Sequence, residues 1–454
     1  MGSSSIDKAK GRISGGGIAF GLVSGLFFFA WLSSLGSPSS PTGINEALLD
    51  SSMSLEAMQK ATAVLDPELM LSAPSDKIFV DAYLNPCYKS SVDALRCLPY
   101  AYISGFQTGA RALARSLAAH DNVVFDIGAA YGPWPTSQQQ QGYSKGYWNE
   151  YRNQLQSYLG HIISARLRLD KSPKSAIVID GSMSTLDLFW AGNTKAHRAF
   201  STFAVDCWRT CNDKHKGSGV QYEECMDNKC LKGGREADAK AAKEAGVDLD
   251  DLQLPMLMRA VYGKRLPKFV FLLRDPVDRL FSSYFGSENL YPRTGKDIEG
   301  FRKYLKEQLE AFDLCKRNHT EEDCVLRFES LTMAQEKVFY HCDQIFRGFY
   351  AMQLKQWFKF FPRSSFLIIE SQEYFSNPKE VTIKVLTFLG LKHPSDEEWL
   401  KMNKAGPSVS NVEGRVMPKE EREMLARLYQ KPNIDLATLL NNKSWLKWND
   451  KKLK

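Results

Sequence analysis

The residues with the clearest chemical potential stand in one run, Arg274-Asp275-Pro276-Val277-Asp278-Arg279-Leu280-Phe281-Ser282-Ser283-Tyr284. It follows directly on an apolar stretch, Lys268 to Leu273 (KFVFLL). An Arg at a strand end, a Pro that opens a helix and a Ser two turns later can converge on one anion. The guanidinium supplies a bidentate, charge-assisted grip, and the hydroxyl adds a donor. Arg274 and Ser282 are therefore candidate anion ligands. The plainer alternative is a strand–turn–helix with Asp275 and Arg279 in surface ion pairs. A second constellation is Gly105-Phe106-Gln107-Thr108-Gly109-Ala110-Arg111, between the apolar run Tyr100 to Ser104 and a helical pattern from Ala110 to Ala119. A helix that begins there turns its N-terminus, an anion site, toward the strand end. Third, Asp126 is the carboxylate at the end of the apolar stretch that starts at Val123. A carboxylate there can act as a general base or simply cap a turn.

The cysteines speak about compartment. Nine in 454 residues are too few for a small disulfide-framework protein. Their grouping suggests disulfides nonetheless: Cys87 with Cys97 and Cys315 with Cys324, each across a short polar loop. Cys207, Cys211, Cys225 and Cys230 read as further disulfides, with zinc ligation as the alternative, although the spacing is not the usual C-x2-C pair. Cys342 is left over. Asn318 and Asn442 open glycosylation sequons. None of the seven His residues falls in a motif; His120 is expected to pack at a helix end.

These groups need a scaffold, and the chain has the material for one. It is 43% hydrophobic and 24% charged, the balance of a globular protein with a sizeable core. The excess of 59 Lys and Arg over 52 Asp and Glu, +7 net, suits an anionic ligand. No charged residue occurs between Arg12 and Glu46. Ile18 to Leu35 within that window is an 18-residue apolar run, close to the roughly 20 residues that span a bilayer. Lys8, Lys10 and Arg12 precede it, which places the N-terminus in the cytosol and the body in the lumen. A cleaved signal peptide is the competing reading, and it delivers the body to the same compartment. The expected organisation is a cytosolic tail 1–12, a transmembrane signal-anchor 13–36, a stem 37–76 and a lumenal domain 77–454. The stem holds one amphipathic stretch, Ala47 to Leu65. Polar, cysteine-bearing residues at about 204–250 read as an insertion.

Within the domain, strand-like runs (Tyr100 to Ser104, Ala176 to Asp180, Lys268 to Leu273, Ser365 to Glu370) alternate with helical patterns. The patterns cover Ala110 to Ala119, Trp148 to Arg166, Pro255 to Tyr262, Phe301 to Phe312 and Val381 to Leu389. Continuous apolar strands between helices predict an α/β fold with a buried parallel sheet flanked by helices on both faces. Ligands in such sheets bind beyond the C-terminal strand ends.

The run R-D-P-x-x-R-x-x-S-x-Y after an apolar strand resembles the 3′-phosphate motif of sulfotransferases that use 3′-phosphoadenosine-5′-phosphosulfate (PAPS). Ile179 to Leu186 (IDGSMSTL) resembles that family's G-x-S-P-S-T stretch. Gly348 to Pro362, the run SFLIIE, Phe388 to Leu391 and Met417 to Leu440 are similar to the C-terminal half of Golgi carbohydrate sulfotransferases. Within these the similarity is greatest to the N-acetylgalactosamine 4-sulfate 6-O-sulfotransferase group. The resemblance covers roughly residues 98–448 and leaves the insertion unaccounted for. It implies a P-loop-like sheet, a type II Golgi membrane protein, PAPS as co-substrate and a carbohydrate acceptor. It implies no metal and no nucleic acid. Arg274 and Ser282 then hold the 3′-phosphate, while Gln107, Thr108, Gly109 and Arg111 hold the 5′ end. One departure stands out. The family's 5′ loop resembles G-x-x-K-x-G-T-T, and its Lys stabilises the bridging oxygen in transfer. Here Thr108 stands in the place of that Lys, and the loop is one residue shorter. Arg111, in the first turn of the helix, is the candidate replacement. Two readings stay open: an active sulfotransferase with Asp126 and Arg111 as catalytic groups, or a non-catalytic descendant that binds nucleotide or glycan.

Overall fold

A computed structural model describes residues 53–67, 83–89, 95–126, 174–183, 185–187, 196–286, 294–339, 344–406 and 414–450. All belong to one compact unit, Glu46–Lys454. The expected signal-anchor, the helix from Trp148 to Arg166 and Cys342 lie outside the described residues, as does most of the expected stem. Among the described residues no helix is long and apolar enough to cross a membrane.

Each strand-like run of the domain forms a strand. β1 (Cys87–Lys89) and β2 (Leu95–Cys97) make a small antiparallel pair. β3 (Ala101–Ser104), β4 (Val123–Asp126), β5 (Ile177–Asp180), β6 (Lys268–Leu273) and β7 (Phe366–Glu370) form one parallel sheet in the order β4-β5-β3-β6-β7. Successive side chains of a strand point to opposite faces, and both faces here are covered. Tyr102, Phe269, Phe271 and Leu273 enter one core, with the helices Leu254–Tyr262, Pro276–Gly286 and Tyr350–Phe360. Ala101, Ile103, Val270 and Leu272 enter the other, with the helices Ala110–Ala118, Pro378–Leu389 and Asp396–Ala405. Continuous apolarity in the sequence is the direct result of this double burial. Phe269 anchors the first core: its ring lies 4.9 Å from those of Trp357 and Phe366 and 5.0 Å from that of Phe361.

Helix boundaries follow the capping chemistry. The helix Ile298–Asn318 is longer than its apolar stripe, Phe301 to Phe312, because Asp297 caps it and accepts from Gly300 N at 2.7 Å. His120 packs beyond the end of the helix Ala110–Ala118, 3% exposed, its Nε2 donating to Lys392 O at 3.0 Å.

One expectation is revised. The stretch assigned to the stem contains the helix Leu55–Leu65, whose Met58 and Ala61 are buried in the main core. Gln59 Nε2 donates to Ala260 O at 3.3 Å, so this part docks on the domain and is no spacer. The insertion is helical: Arg198–His215, Val220–Cys225, a π-helical turn Met226–Leu231, and Lys232–Ala245. Cys87–Cys97 and Cys315–Cys324 are disulfides as expected. Cys207 pairs with Cys230 and Cys211 with Cys225, which commits the four cysteines to each other as disulfides.

Candidate functional site

The order of strands places the site. The chain leaves β3 for the β5 and β4 side of the sheet, and leaves β6 for β7 on the other. Neighbouring strands whose connections diverge open a crevice at their C-terminal ends. Here β3 and β6 are those neighbours, paired from Ala101↔Lys268 to Ser104↔Phe271. The Gly105–Gly109 loop and the Arg274 run end on that crevice together.

The loop after β3 is tightly wound. Gly105 has φ 141° and Gly109 φ 94°. A Cβ at Gly105 would lie 2.3 Å from the backbone oxygen of Leu272, which excludes a side chain there, and the left-handed φ of Gly109 disfavours one at that position. Gln107 takes a left-handed φ of 57°, a conformation that costs energy outside glycine and must be held by its surroundings. Thr108 Oγ1 closes the turn by donating to Gly105 O at 2.9 Å. The helix that carries Arg111 begins directly after, at Ala110.

On the β6 side, Asp275 caps the next helix, accepting from Val277 N at 3.0 Å. Arg274 Nη1 reaches across the crevice to Gln107 O at 3.4 Å, and Tyr350 OH donates to Arg274 O at 2.8 Å. The two candidate anion ligands thus meet directly. Ser282 is buried two turns along the helix Pro276–Gly286. The surface ion-pair alternative fails, because Arg279 is 0% exposed and Asp275 5%. Arg279 donates to Gln344, through Nη1 to Oε1 at 3.2 Å and through Nη2 to the backbone O. Ser283 shares that Oε1. Burial pushes the Arg274 guanidinium below its usual range; Asp278, Tyr350 and Asp275 oppose that shift, and the charge of Arg279 adds to it. Burial also pushes the Tyr350 phenol up to about 12. An anion in the crevice would stabilise the partly buried Arg274 guanidinium, which the charge of Arg279 disfavours.

The remaining candidates are more dispersed. Arg111 is the second residue of its helix and is partly buried. Asp126 ends the edge strand β4, separated from β3 by β5. Two inter-strand spacings put its backbone about 10 Å along the sheet edge from the loop. It lies at the β4 edge of the sheet, with β5 between it and the β3–β6 crevice. On β5 the motif resemblance at Ile179 to Leu186 is tied to the loop: Gly105 N donates to Met183 O at 3.1 Å and Ser104 Oγ to the same oxygen at 2.9 Å. Leu186 N donates to Ser104 Oγ at 3.0 Å. Ser182 Oγ is buried without a hydrogen-bond partner among the described residues.

Sequence reasoning missed Asp187, Tyr350 and Arg347. Arg347 and Asp187 form a buried ion pair, and the Arg347 guanidinium lies 4.1 Å from the Phe106 ring centroid. Nothing local marks these residues. A partial signal was present, because Arg347 directly precedes the Gly348 to Pro362 stretch that carried the family resemblance.

Comparison with known proteins adds an independent line. Residues 241–414 match the family model of the sulfotransferase domain. That span contains β6, Arg274, Ser282 and β7, and stops short of the Gly105–Gly109 loop. Mouse carbohydrate sulfotransferase 15 is 28% identical over 185 residues, which cover 39% of this chain and 30% of that protein. The human protein of the same name is 30% identical over 143 residues, covering 31% of this chain and 23% of the relative. One from Nototodarus sloanii is 28% identical over 144 residues, covering 31% of this chain and 86% of the relative. The match thus spans under a third of the length of the mouse and human relatives. A solved sulfotransferase from Alicyclobacillus acidocaldarius is matched over 77% of this chain and 98% of its own, at 16% identity and a TM-score of 0.38. This chain carries a sulfotransferase-domain match over residues 241–414 and is similar to carbohydrate sulfotransferases.

Proposed function

We propose that this chain transfers the sulfuryl group of PAPS to a hydroxyl of a carbohydrate, on the lumenal side of the Golgi membrane, held there by the apolar segment between Arg12 and Glu46. The observation that carries the reading is the part-buried Arg274, bonded to Gln107 O across the β3–β6 crevice and destabilised by its own burial. A phosphate placed there satisfies a charge that the protein leaves poorly compensated. Arg274 and Ser282 hold the 3′-phosphate; Gln107, Thr108, Gly109 and Arg111 hold the 5′ end. The acceptor oxygen attacks sulfur while the bond from sulfur to the 5′-phosphate oxygen breaks, and Asp126 takes the acceptor proton. The residues contribute position and charge, as in phosphoryl transfer. An acceptor bearing N-acetylgalactosamine 4-sulfate is the first to try, from the sequence resemblance.

A second reading is supported by one observation: there is no Lys from Gly105 to Gly109. On that reading the chain binds nucleotide or glycan without turnover. Incubation with radiolabelled PAPS and a panel of glycans separates the two. Labelled glycan supports the transferase. Binding of adenosine 3′,5′-bisphosphate with no label on any glycan supports the binder, and absence of nucleotide binding sinks both.

A further inference from the structure

Arg347 sits in the turn Phe346–Gly348, which precedes the helix Tyr350–Phe360. The side chains of Arg347 and its ion-pair partner Asp187 are 1% and 2% exposed. A buried charge is costly unless paired, so these two residues hold each other in place. Gly348 seats the turn: a Cβ there would lie 2.8 Å from Pro276 Cβ and 2.6 Å from the Tyr429 ring. The turn therefore lies flush on the start of the helix that follows Arg274, and Tyr350 then donates to Arg274 O. From this seat Arg347 touches two further loops. Its guanidinium stacks on Phe106 in the loop after β3, and it pairs with Asp187 in the loop after β5. Asp187 follows Leu186, whose N–H is bonded to Ser104 and whose carbonyl accepts from Trp357 Nε1 at 3.3 Å. Phe106 directly precedes Gln107, the residue in the strained left-handed conformation.

We infer that Arg347 is a positioning residue for the anion loop: through Phe106 it holds Gly105–Gly109 in shape, and through Asp187 it locks that loop to the one after β5. The inference rests on the nucleotide reading above and deepens it, because it names what holds the 5′ site of a loop without a Lys.

The test compares binding of adenosine 3′,5′-bisphosphate and adenosine 3′-monophosphate to the full chain by calorimetry. The ratio of the two affinities is what the 5′-phosphate adds. Arg347→Gln alone would leave Asp187 buried without its cation, so it is paired with Asp187→Asn. Phe106→Leu is the second variant and leaves the ion pair in place. Each should lower the ratio by about tenfold, with monophosphate affinity within about twofold of wild type. All three changes together should cost no more than either variant, since both act by one route. An unchanged ratio in folded protein overturns the inference, as does an equal loss for both nucleotides, which would mean a general folding role. If the double variant does not fold, Phe106→Leu decides alone. Wild-type protein that binds neither nucleotide sinks the functional reading, and this inference with it.

Discussion

Arg274 works at the scale of single contacts. Its guanidinium is partly withdrawn from water, and among the described residues it finds a long bond to Gln107 O, at 3.4 Å. A charge-assisted contact to phosphate in such a place is worth about 1.5–3 kcal/mol. Arg274→Ala should therefore weaken binding of adenosine 3′,5′-bisphosphate by about tenfold to a hundredfold. Binding of the nucleotide that lacks the 3′-phosphate should not change, and calorimetry on both ligands checks this. Equal losses would make Arg274 structural. Arg111 poses a different question, that of a cation in the first turn of the helix that opens at the loop. If it replaces the family's Lys, Arg111→Ala should lower turnover by about a hundredfold while desulfo-nucleotide binding drops only slightly. Thr108→Lys in that background should restore part of the rate. Thr108 is 1% exposed and closes its turn, so the unfolding midpoint of that variant must be recorded beside its rate.

At the scale of elements, the helical insertion shows how cross-links depend on helix geometry. Cys207 and Cys211 stand four apart on one α-helix, one turn from each other. Cys225 and Cys230 stand five apart, a spacing that an α-helix turns to different sides. The π-helical turn Met226–Leu231, with its i→i+5 winding, brings both onto the side that faces Cys207 and Cys211. The two bridges tie Arg198–His215 to the segment that follows. Since Cys207–Cys230 spans 23 residues of sequence, removing it by Cys207→Ser with Cys230→Ser should cost about 3 kcal/mol. The urea midpoint should fall accordingly, and peptide mapping should show Cys211–Cys225 intact. An unchanged midpoint would mean that packing alone, such as Gly234 against Phe200, holds the helices together.

For the whole molecule, buried phenols make stability depend on pH. Burial raises the Tyr350 and Tyr374 phenols to about 12, and raises Tyr429 as well. A raised folded-state value favours the neutral form in the fold. The associated stability is complete below the ordinary tyrosine value near 10 and is lost as pH climbs from there toward 12. Urea midpoints measured from about pH 8 to pH 11.5 should fall only at the alkaline end. Tyr350→Phe should make that fall shallower, at the cost of the bond to Arg274 O. A flat profile would show that these phenols ionise freely in the folded protein.

The amino-acid sequence by itself determined the strands of the parallel sheet and the two loops that end on the crevice. A strand buried on both faces must be apolar throughout, and that is visible in one short window. The disulfides Cys87–Cys97 and Cys315–Cys324 were legible for a similar reason, being local. The α/β class followed from alternation alone. Tertiary structure decided everything that depends on distant segments meeting. It set the strand order, which opens the crevice between β3 and β6, and it chose the pairing of Cys207, Cys211, Cys225 and Cys230. It docked Leu55–Leu65 onto the domain, where an amphipathic pattern alone left the partner open. It buried Arg279, which reads in sequence like a solvated helix residue, and it assembled Phe106, Asp187 and Arg347 from three distant parts of the chain. A buried charge carries no local signature, because its partner is chosen by the fold.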